Sequence, residues 1–319
     1  MLNDSKKFTS TVVLAMYNGE RYIKEQLESI LKQTLKPDEV LILDDCSSDN
    51  GCKIVDDFIK TNNLLETWKL IKNEKNQGWK KNFKLGFDLA HGDYIFPCDQ
   101  DDIWYLDKIE KMCSFMEEHN ELDLIATNFD VLYEGEGNRN YSKLVKVMKK
   151  MKIGSYTKIP FNKHWMIDQR MGCTFCFRKC FYDSIKKYWN SEWSHDGNLW
   201  RFACIRNSLA IYALNTEQFR RHGDNATATD QTTAEDRFLR CKEYIEVVKE
   251  YKNYIKENNL LSKKTAKLLE NQVAFYSIRG EFLAEGKIID VLKLFFVYRS
   301  YYFTFRSFLG DIYYSWFAK

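Results

Sequence analysis

Short apolar runs alternate with helical spacings over about the first 130 residues of the chain. Four runs have the length and the β-branched or aromatic character of buried strands: TVVLAM (11–16), VLIL (40–43), WKLIK (68–72) and YIFPC (94–98). Behind the first run, Ile23, Leu27 and Ile30 fall on one helix face, and a further helix is predicted from about residue 80 to residue 90. This rhythm predicts an α/β domain, a mostly parallel central sheet with helices on both faces.

The pattern changes twice in the rest of the chain. Residues 134–165 are charged and irregular, and we interpret them as an insertion or a mobile loop near the site. Strands predicted at 171–177 and 209–214 complete the sheet. Long helices are predicted at 234–257, 262–285 and 287–316, with breaks at Asn258–Asn259 and Gly286. The predicted organisation is an α/β domain over residues 1–233 and a helical region over residues 234–319.

Composition narrows the class of protein. The 319 residues are 45% hydrophobic and 29% charged, and the net charge of +3 is too balanced for nucleic acid to be the main partner. The N-terminus shows no charged leader before an apolar run, and the most apolar late stretch, 288–305, is broken by Asp290, Lys293 and Arg299. We therefore expect a cytoplasmic protein.

The nine cysteines suit a reducing compartment. Cys173, Cys176 and Cys180, with His164 and His195 nearby in sequence, raise the question of a zinc site. Residues three apart on a strand face opposite sides, so the spacing favours buried thiols over a metal centre.

Polar residues follow the end of each predicted strand. Asp44–Asp45 end the second, Asn76–Gln77–Gly78 follow the third, and Asp99–Gln100–Asp101–Asp102 end the fourth. In open α/β sheets the carboxyl edge of the strands is where ligands bind. The sequence therefore predicts a ligand site along this edge.

Asp99 and Asp101 carry the chemistry of the predicted site. Two carboxylates at i and i+2, where the chain turns, suit Mg²⁺ or Mn²⁺, and such a metal neutralises charge on a departing diphosphate. The alternative is a solvated turn or a helix cap. Asp44 and Asp45 have two interpretations: they accept hydrogen bonds from a nucleotide base or ribose, or they cap a turn. Residues 76–78 either bind the donor or form a tight turn. Lys81 faces either a phosphate or water.

The motifs occur in a recognisable order. The string VVLAMYNGERYIKEQLESILKQT, then VLILDDCSSD, NQGWKKNF and GDYIFPCDQDDIW, resembles the family 2 glycosyltransferases of GT-A fold over residues 10–225. It is particularly similar to rhamnosyltransferase-like members of bacterial polysaccharide and capsule assembly. The resemblance implies a transferase that uses a nucleotide-sugar donor and Mn²⁺ or Mg²⁺ and that inverts the anomeric centre.

The resemblance also implies roles for individual residues. Ala15, Tyr17, Glu20, Asp44 and Asp99 would bind the nucleotide, while Asp101 would hold the metal, together with His222. Asn76 and Lys81 are expected beside the donor because of their position after the third strand. Gly172, Cys173, Thr174, His195 and Trp200 would border sugar and acceptor, and Arg220 or Arg221 would bind phosphate. Asp196, in a His-Asp variant of the family's acidic pair, would be the catalytic base. Loop 223–233 has the composition of a lid.

The sequence does not decide what the aromatic tail, residues 291–319, contacts. Interleaved Lys293, Arg299 and Arg306 are compatible with a membrane interface, and the alternatives are packing on its own domain or in a homodimer. We expect a dTDP- or UDP-sugar donor and a glycan acceptor, lipid-linked in this interpretation. Two other functions are disfavoured. A nucleotidyltransferase would need a glycine- and basic-rich loop, which Tyr17–Glu20 is not, and a non-catalytic nucleotide-sugar-binding protein would lack the acids that are present here.

Overall fold

A computed structural model of the chain describes residues 8–134, 151–166, 170–222 and 233–318. These residues fall into two compact units. The first contains the described residues up to 160 and those from 170 to 222, and the second contains residues 161–166 and 233–318. The sheet and the predicted chemistry belong to the first unit, and the long helices to the second.

The first unit is built on one sheet. Its strands are β1 Ser10–Met16, β2 Glu39–Asp44, β3 Trp68–Lys72, β4 Tyr94–Asp99, β5 Ile103–Trp104, β6 Leu124–Tyr133, β7 Tyr156–Ile159, β8 Phe175–Arg178 and β9 Leu209–Arg221. The order across the sheet is β3-β2-β1-β4-β8-β6-β9-β5, and β7 also pairs with β9. The β3-β2-β1-β4 half is parallel, whereas β8 runs antiparallel to both β4 and β6. The α/β architecture with a central sheet is therefore confirmed.

Helices alternate with these strands. They are α1 Ile23–Leu31, α2 Gly51–Thr61, α3 Trp79–Leu89, α4 Lys108–Glu118, α5 Lys179–Ile185 and α6 His195–Ile205. Helix α3 lies very close to the sheet because Gly86 has no side chain, and a Cβ there would overlap the side chain of Val13 in β1. Val12 and Leu14 of β1 are fully buried in the core with Ile42 of β2. The parallel strands are therefore apolar because the sheet is buried, as expected.

Two predicted strands differ in the structure. Residues 172–174 form a 3₁₀ turn, in which Thr174 donates both its backbone N–H and its hydroxyl to the carbonyl of Met171, so the strand begins only at Phe175. The strand predicted at 209–214 continues to Arg221, because it pairs along β6. Within the predicted insertion 134–165, residues 156–159 form β7, and residues 135–150 lie outside the described part of the chain.

The second unit is helical. Its helices are α7 Ala234–Glu257, α8 Lys263–Glu285, α9 Ile288–Phe296 and α10 Phe305–Trp316. Asn259 and Gly286 adopt positive φ angles of 56° and 71° at the predicted breaks. The single helix predicted at 287–316 is wrong: the chain leaves the helix after Phe296, and Thr304 caps a new helix by accepting a bond from Ser307 N–H at 3.1 Å.

The carboxylate of Asp311 organises the second unit. It is fully buried and accepts hydrogen bonds from Arg237 Nη1 at 2.7 Å, Arg279 Nε at 2.7 Å and the Tyr302 hydroxyl at 2.8 Å. The bonds join α10 to α7 and α8. No helix among the described residues combines the length and apolarity needed to cross a bilayer.

Candidate active site

The carboxyl ends of three parallel strands meet at one edge of the sheet. Ala15 of β1 lies opposite Leu43 of β2 on one side and Asp99 of β4 on the other. Asp44 lies opposite Met16, one residue further along. The register therefore brings Ala15, Asp44 and Asp99 to the same edge, as parallel pairing requires.

Gln100 holds the loop that follows β1. Its side-chain oxygen accepts from Tyr17 N–H at 2.9 Å, and its amide nitrogen donates to the Tyr17 carbonyl at 3.1 Å. The backbone of Tyr17 is thereby pinned to the acidic motif, while 48% of its surface stays exposed. Sequence reasoning missed this role, although a glutamine between two aspartates at a strand end is the available signal.

Glu20 is used within the protein. Its carboxylate accepts from Asn50 N–H at 2.9 Å and from Asn50 Nδ2 at 3.0 Å, and its own N–H donates to Asp49 at 2.8 Å. The loop after β1 is thus tied to the loop after β2. In the structure, Glu20 orders the loops at the carboxyl edge of the sheet.

The adjacent residues Asp44 and Asp45 do different things. The buried carboxylate of Asp45 accepts from Asn73 Nδ2 at 2.9 Å, Gln77 N–H at 3.0 Å and Gly78 N–H at 2.8 Å. Asp44 accepts a longer bond, 3.3 Å, from Ser47 N–H. Asp45 therefore shapes the loop before α3, and Asp44 is the better placed of the two for a ligand.

Asn76 and Lys81 lie on or just after that loop. The side chain of Asn76 accepts from Gly78 N–H at 3.0 Å, which makes it a turn residue of the kind common before helices. Lys81 is exposed on the first turns of α3. Both residues are exposed, and only Lys81 carries the positive charge that suits a phosphate.

Acidic side chains converge where β4 ends. Burial raises the pKa of Asp99 to about 8, helped by the nearby carboxylates of Asp101, Glu217 and Asp196. Burial also raises the pKa of Asp102 well above its ordinary value, with Glu217 the strongest neighbouring charge. Asp196, nearly a hundred residues from Asp99 in sequence, is therefore brought into the same electrostatic cluster.

The donor set fits a hard divalent cation. Asp101 Oδ2 lies 2.8 Å from His222 Nε2, and the His222 ring lies 4.8 Å from that of Tyr22. Asp102 accepts from Arg220 N–H through Oδ1, but its buried Oδ2 has no hydrogen-bond partner within the described residues. An orphaned carboxylate oxygen among crowded acids is the electrostatic condition that a cation relieves.

The cysteine-rich segment does not assemble the questioned zinc site. The described residues bring Asp99, Asp102 and Cys173 within 4.8 Å of one another, and neither Cys176 nor Cys180 belongs to that group. Cys176 is buried in the apolar core, and Cys180 is exposed on α5. Burial raises the pKa of Cys173, which keeps its thiol protonated.

A buried ion pair supports the turn at 172–174. Lys108 and Glu217 are completely buried and paired, and Lys108 Nζ also donates to the Cys173 carbonyl at 2.7 Å. The ammonium lies 4.1 Å from the centre of the Trp104 ring. Neither residue was a predicted site residue, since only the fold brings together positions 109 apart in sequence.

Arg220 is engaged by acids and backbone of the protein itself. Its guanidinium pairs with Glu25 and Glu134, and its Nε donates to the Asp101 carbonyl at 2.7 Å. This arrangement favours a role in holding the loop of Asp101 over the predicted phosphate contact. Arg221 is also buried, opposite Tyr133 on the neighbouring strand.

The residues around α6 divide into exposed and buried positions. Ser194 caps the helix by accepting from Gly197 N–H at 3.2 Å, and Asp196 lies partly exposed in the first turn. The His195 ring is buried 3.9 Å from the Phe83 ring, and a Cβ on Gly172 would overlap it. Trp200 is buried and stacked on Phe175, which is a packing position. Loop positions 223–232, the predicted lid, lie outside the described residues.

Comparison with known proteins identifies the family of the chain. Residues 11–189 match the family described as glycosyl transferase family 2. The chain is 32% identical to the putative glycosyltransferase EpsE of Bacillus subtilis over 124 residues, 39% of this chain and 44% of that protein. It is 32% identical to the glycosyltransferase GlyG of Streptococcus pneumoniae over 128 residues, 40% of this chain. The chain thus spans about four-tenths of the length of these two relatives, 44% and 41%.

Two further comparisons extend over more of the chain. The dTDP-rhamnosyl transferase RfbG of Shigella flexneri is 29% identical over 222 residues, 66% of this chain and 72% of that protein. The crystal structure of S. aureus TarS 1-349 in complex with UDP-GlcNAc covers 95% of this chain and 80% of its own, with a TM-score of 0.61 at 18% identity. That likeness extends the agreement in fold, including the helices after the sheet. The chain belongs to glycosyl transferase family 2.

Proposed function

We propose that the protein transfers a sugar, with inversion, from a nucleoside diphosphate donor to a hydroxyl of a glycan. The observation that carries the proposal is the convergence of Asp99, Asp101 and Asp196 at the edge where Asp44 and Tyr17 also lie. A nucleotide site, a cation site and a base are the three parts that such a transfer needs.

The donor lies along the carboxyl edge in this proposal. Ala15 and the exposed Tyr17 line the nucleotide, Asp44 accepts from the base, and Asp99 binds the ribose. Lys81 lies on the side of the diphosphate. RfbG is named a dTDP-rhamnosyl transferase and TarS was solved with UDP-GlcNAc, so dTDP-rhamnose and UDP-hexoses are the first donors to test.

Asp101 and His222 would hold Mn²⁺ or Mg²⁺. Their contact at 2.8 Å and the orphaned Oδ2 of Asp102 support this assignment. When bound, the cation supplies positive charge to the departing diphosphate. The protein's own contribution is to order the site: Arg220 fixes the Asp101 backbone, and Gln100 fixes Tyr17.

Asp196 acts as the base. It lies partly exposed at the start of α6, and its carboxylate takes the proton from the acceptor hydroxyl as that oxygen attacks the anomeric carbon. Displacement in one step inverts the anomeric centre. The acceptor we propose is a growing bacterial surface polysaccharide on a lipid carrier, a hypothesis that follows from the rhamnosyltransferase-like resemblance.

A donor panel tests the function. UDP-, dTDP- and GDP-sugars are compared by thermal shift and by donor hydrolysis with and without Mn²⁺. Asp101→Ala should remove metal dependence and activity while the fold is retained. Asp196→Asn should preserve the donor thermal shift and lower transfer by about 10²- to 10⁴-fold.

The control is Asp57→Asn, an exposed carboxylate on α2, which should behave as wild type. An Asp101→Ala protein with full metal-dependent activity would overturn the cation assignment. Unimpaired transfer by Asp196→Asn would mean that another group is the base.

A further inference from the structure

Helix α9 exposes one apolar stripe. Ile288, Leu292 and Phe295, together with Ile289 and Phe296, are all exposed, and their spacing places them within one side of the helix. Phe296 is 76% and Ile288 68% exposed. The opposite side, with Asp290 and Leu294, is buried.

Helix α10 repeats the arrangement. Its exposed positions Phe305, Leu309, Tyr313 and Trp316 follow the same helical spacing. The buried Phe308 contacts Phe295 of α9 at 5.8 Å between ring centres and Phe305 at 5.9 Å, so the two stripes are linked through it. The exposed residues of both helices, with the flanking Val297, Phe303 and Phe317, are called the tail surface here.

The exposed charges around the tail surface are mostly cationic. Segment 287–318 contains two acids, Asp290 and Asp311, and both are buried. Its four basic residues are Lys287, Lys293, Arg299 and Arg306. Lys287 pairs with the half-exposed Glu285, and Lys293 lies 3.6 Å from the buried Asp290. Both lysines are about half exposed or more, and Arg306 is exposed. The exposed charge of the segment is therefore cationic.

We propose that the tail surface docks on an anionic lipid bilayer. Large apolar side chains beside cations, with Tyr and Trp at one end, are the chemistry of helices that lie in the headgroup region. A second copy of this chain would bring cation against cation, whereas an anionic lipid surface complements both the charge and the apolar stripe. Helices of 9 and 12 residues lie in the interface and do not span it.

Vesicle flotation with the full chain tests the proposal. Vesicles of phosphatidylcholine with phosphatidylglycerol should carry the protein upward, and pure phosphatidylcholine vesicles should carry much less. The exposed pair Ile288→Ser/Phe296→Ser should weaken binding by at least about tenfold, because two large side chains lose their apolar burial. Lys293→Gln/Arg306→Gln should weaken binding to the anionic vesicles by about fivefold per charge and leave neutral vesicles unchanged.

The matched control is Leu65→Ser/Ile153→Ser, two apolar residues of the other unit that are 67% and 82% exposed. It should float as wild type. Equal binding to neutral and anionic vesicles would overturn the proposal, as would a wild-type dimer in sedimentation that Ile288→Ser/Phe296→Ser dissociates without any vesicle binding.

Lipid binding by the tail surface does not depend on the donor chemistry. Donor hydrolysis is measured on the same samples, and the tail variants should retain it. Loss of flotation with intact hydrolysis bears on the tail surface alone. Intact flotation in a protein that hydrolyses no sugar nucleotide bears on the proposed function alone.

Discussion

The imidazole of His195 is enclosed by apolar rings, and neither of its nitrogens has a hydrogen-bond partner within the described part of the chain. Burial lowers its pKa from 6.5 to about 4. The unfolded chain therefore binds one more proton than the folded chain between these values. The stability from neutral His195 is complete above about pH 6.5 and is lost as pH falls toward 4, on the order of 3 kcal/mol in total.

Urea unfolding at a series of pH values measures this effect. His195→Leu should flatten the fall in the free energy of unfolding between pH 6.5 and pH 4 relative to wild type. Leu65→Ser, at an exposed residue with no titratable group, is the control and should keep the wild-type slope. A His195→Leu protein with an undiminished slope would show that the acid sensitivity has another source.

At the scale of elements, Asp45 fixes the loop between β3 and α3. Asp45→Ala would leave the N–H of Gln77 without its partner and remove one of the two acceptors of the Gly78 N–H, which should cost about 1–3 kcal/mol of stability. Asp44→Ala should instead weaken binding of the donor nucleotide and change stability much less. Thermal unfolding and nucleotide titration of the two variants separate these effects; equal losses of stability would contradict the division of roles.

The same elements show what a sequence can predict. The bounds of β1 to β4 follow from apolar runs, because a buried parallel strand needs nothing beyond its own residues to be recognised. The Lys108–Glu217 pair was missed because a buried charge is defined by a distant partner. The prediction of one long tail helix was wrong because the aromatic pattern is compatible with a continuous helix. It does not reveal that the Tyr302 hydroxyl donates to the buried Asp311.

The predicted site residues also differ in how much of their role the sequence reveals. The strand-end acids Asp44, Asp99 and Asp101 are predictable because their position follows from the strands that carry them. The tertiary environment of Arg220 is not, since its partners Glu25 and Glu134 come from other elements. The sequence identifies which functional groups lie at the carboxyl edge of the sheet. The packed structure decides which of the charged side chains are already paired within the protein.

At the scale of the whole molecule, each unit has its own source of stability. Asp311 is fully buried beside Arg237, Arg279 and Tyr302, so Asp311→Ala would leave two largely buried cations, 19% and 17% exposed, without this partner. We predict a loss of about 3–5 kcal/mol confined to the helical unit. Hydrogen exchange should show faster exchange in α7, α8 and α10 and unchanged protection in β1, β2 and β4. Asp57→Asn serves again as the surface control. Equal deprotection of the sheet would mean that the two units unfold as one, because a local loss would then have propagated across the chain.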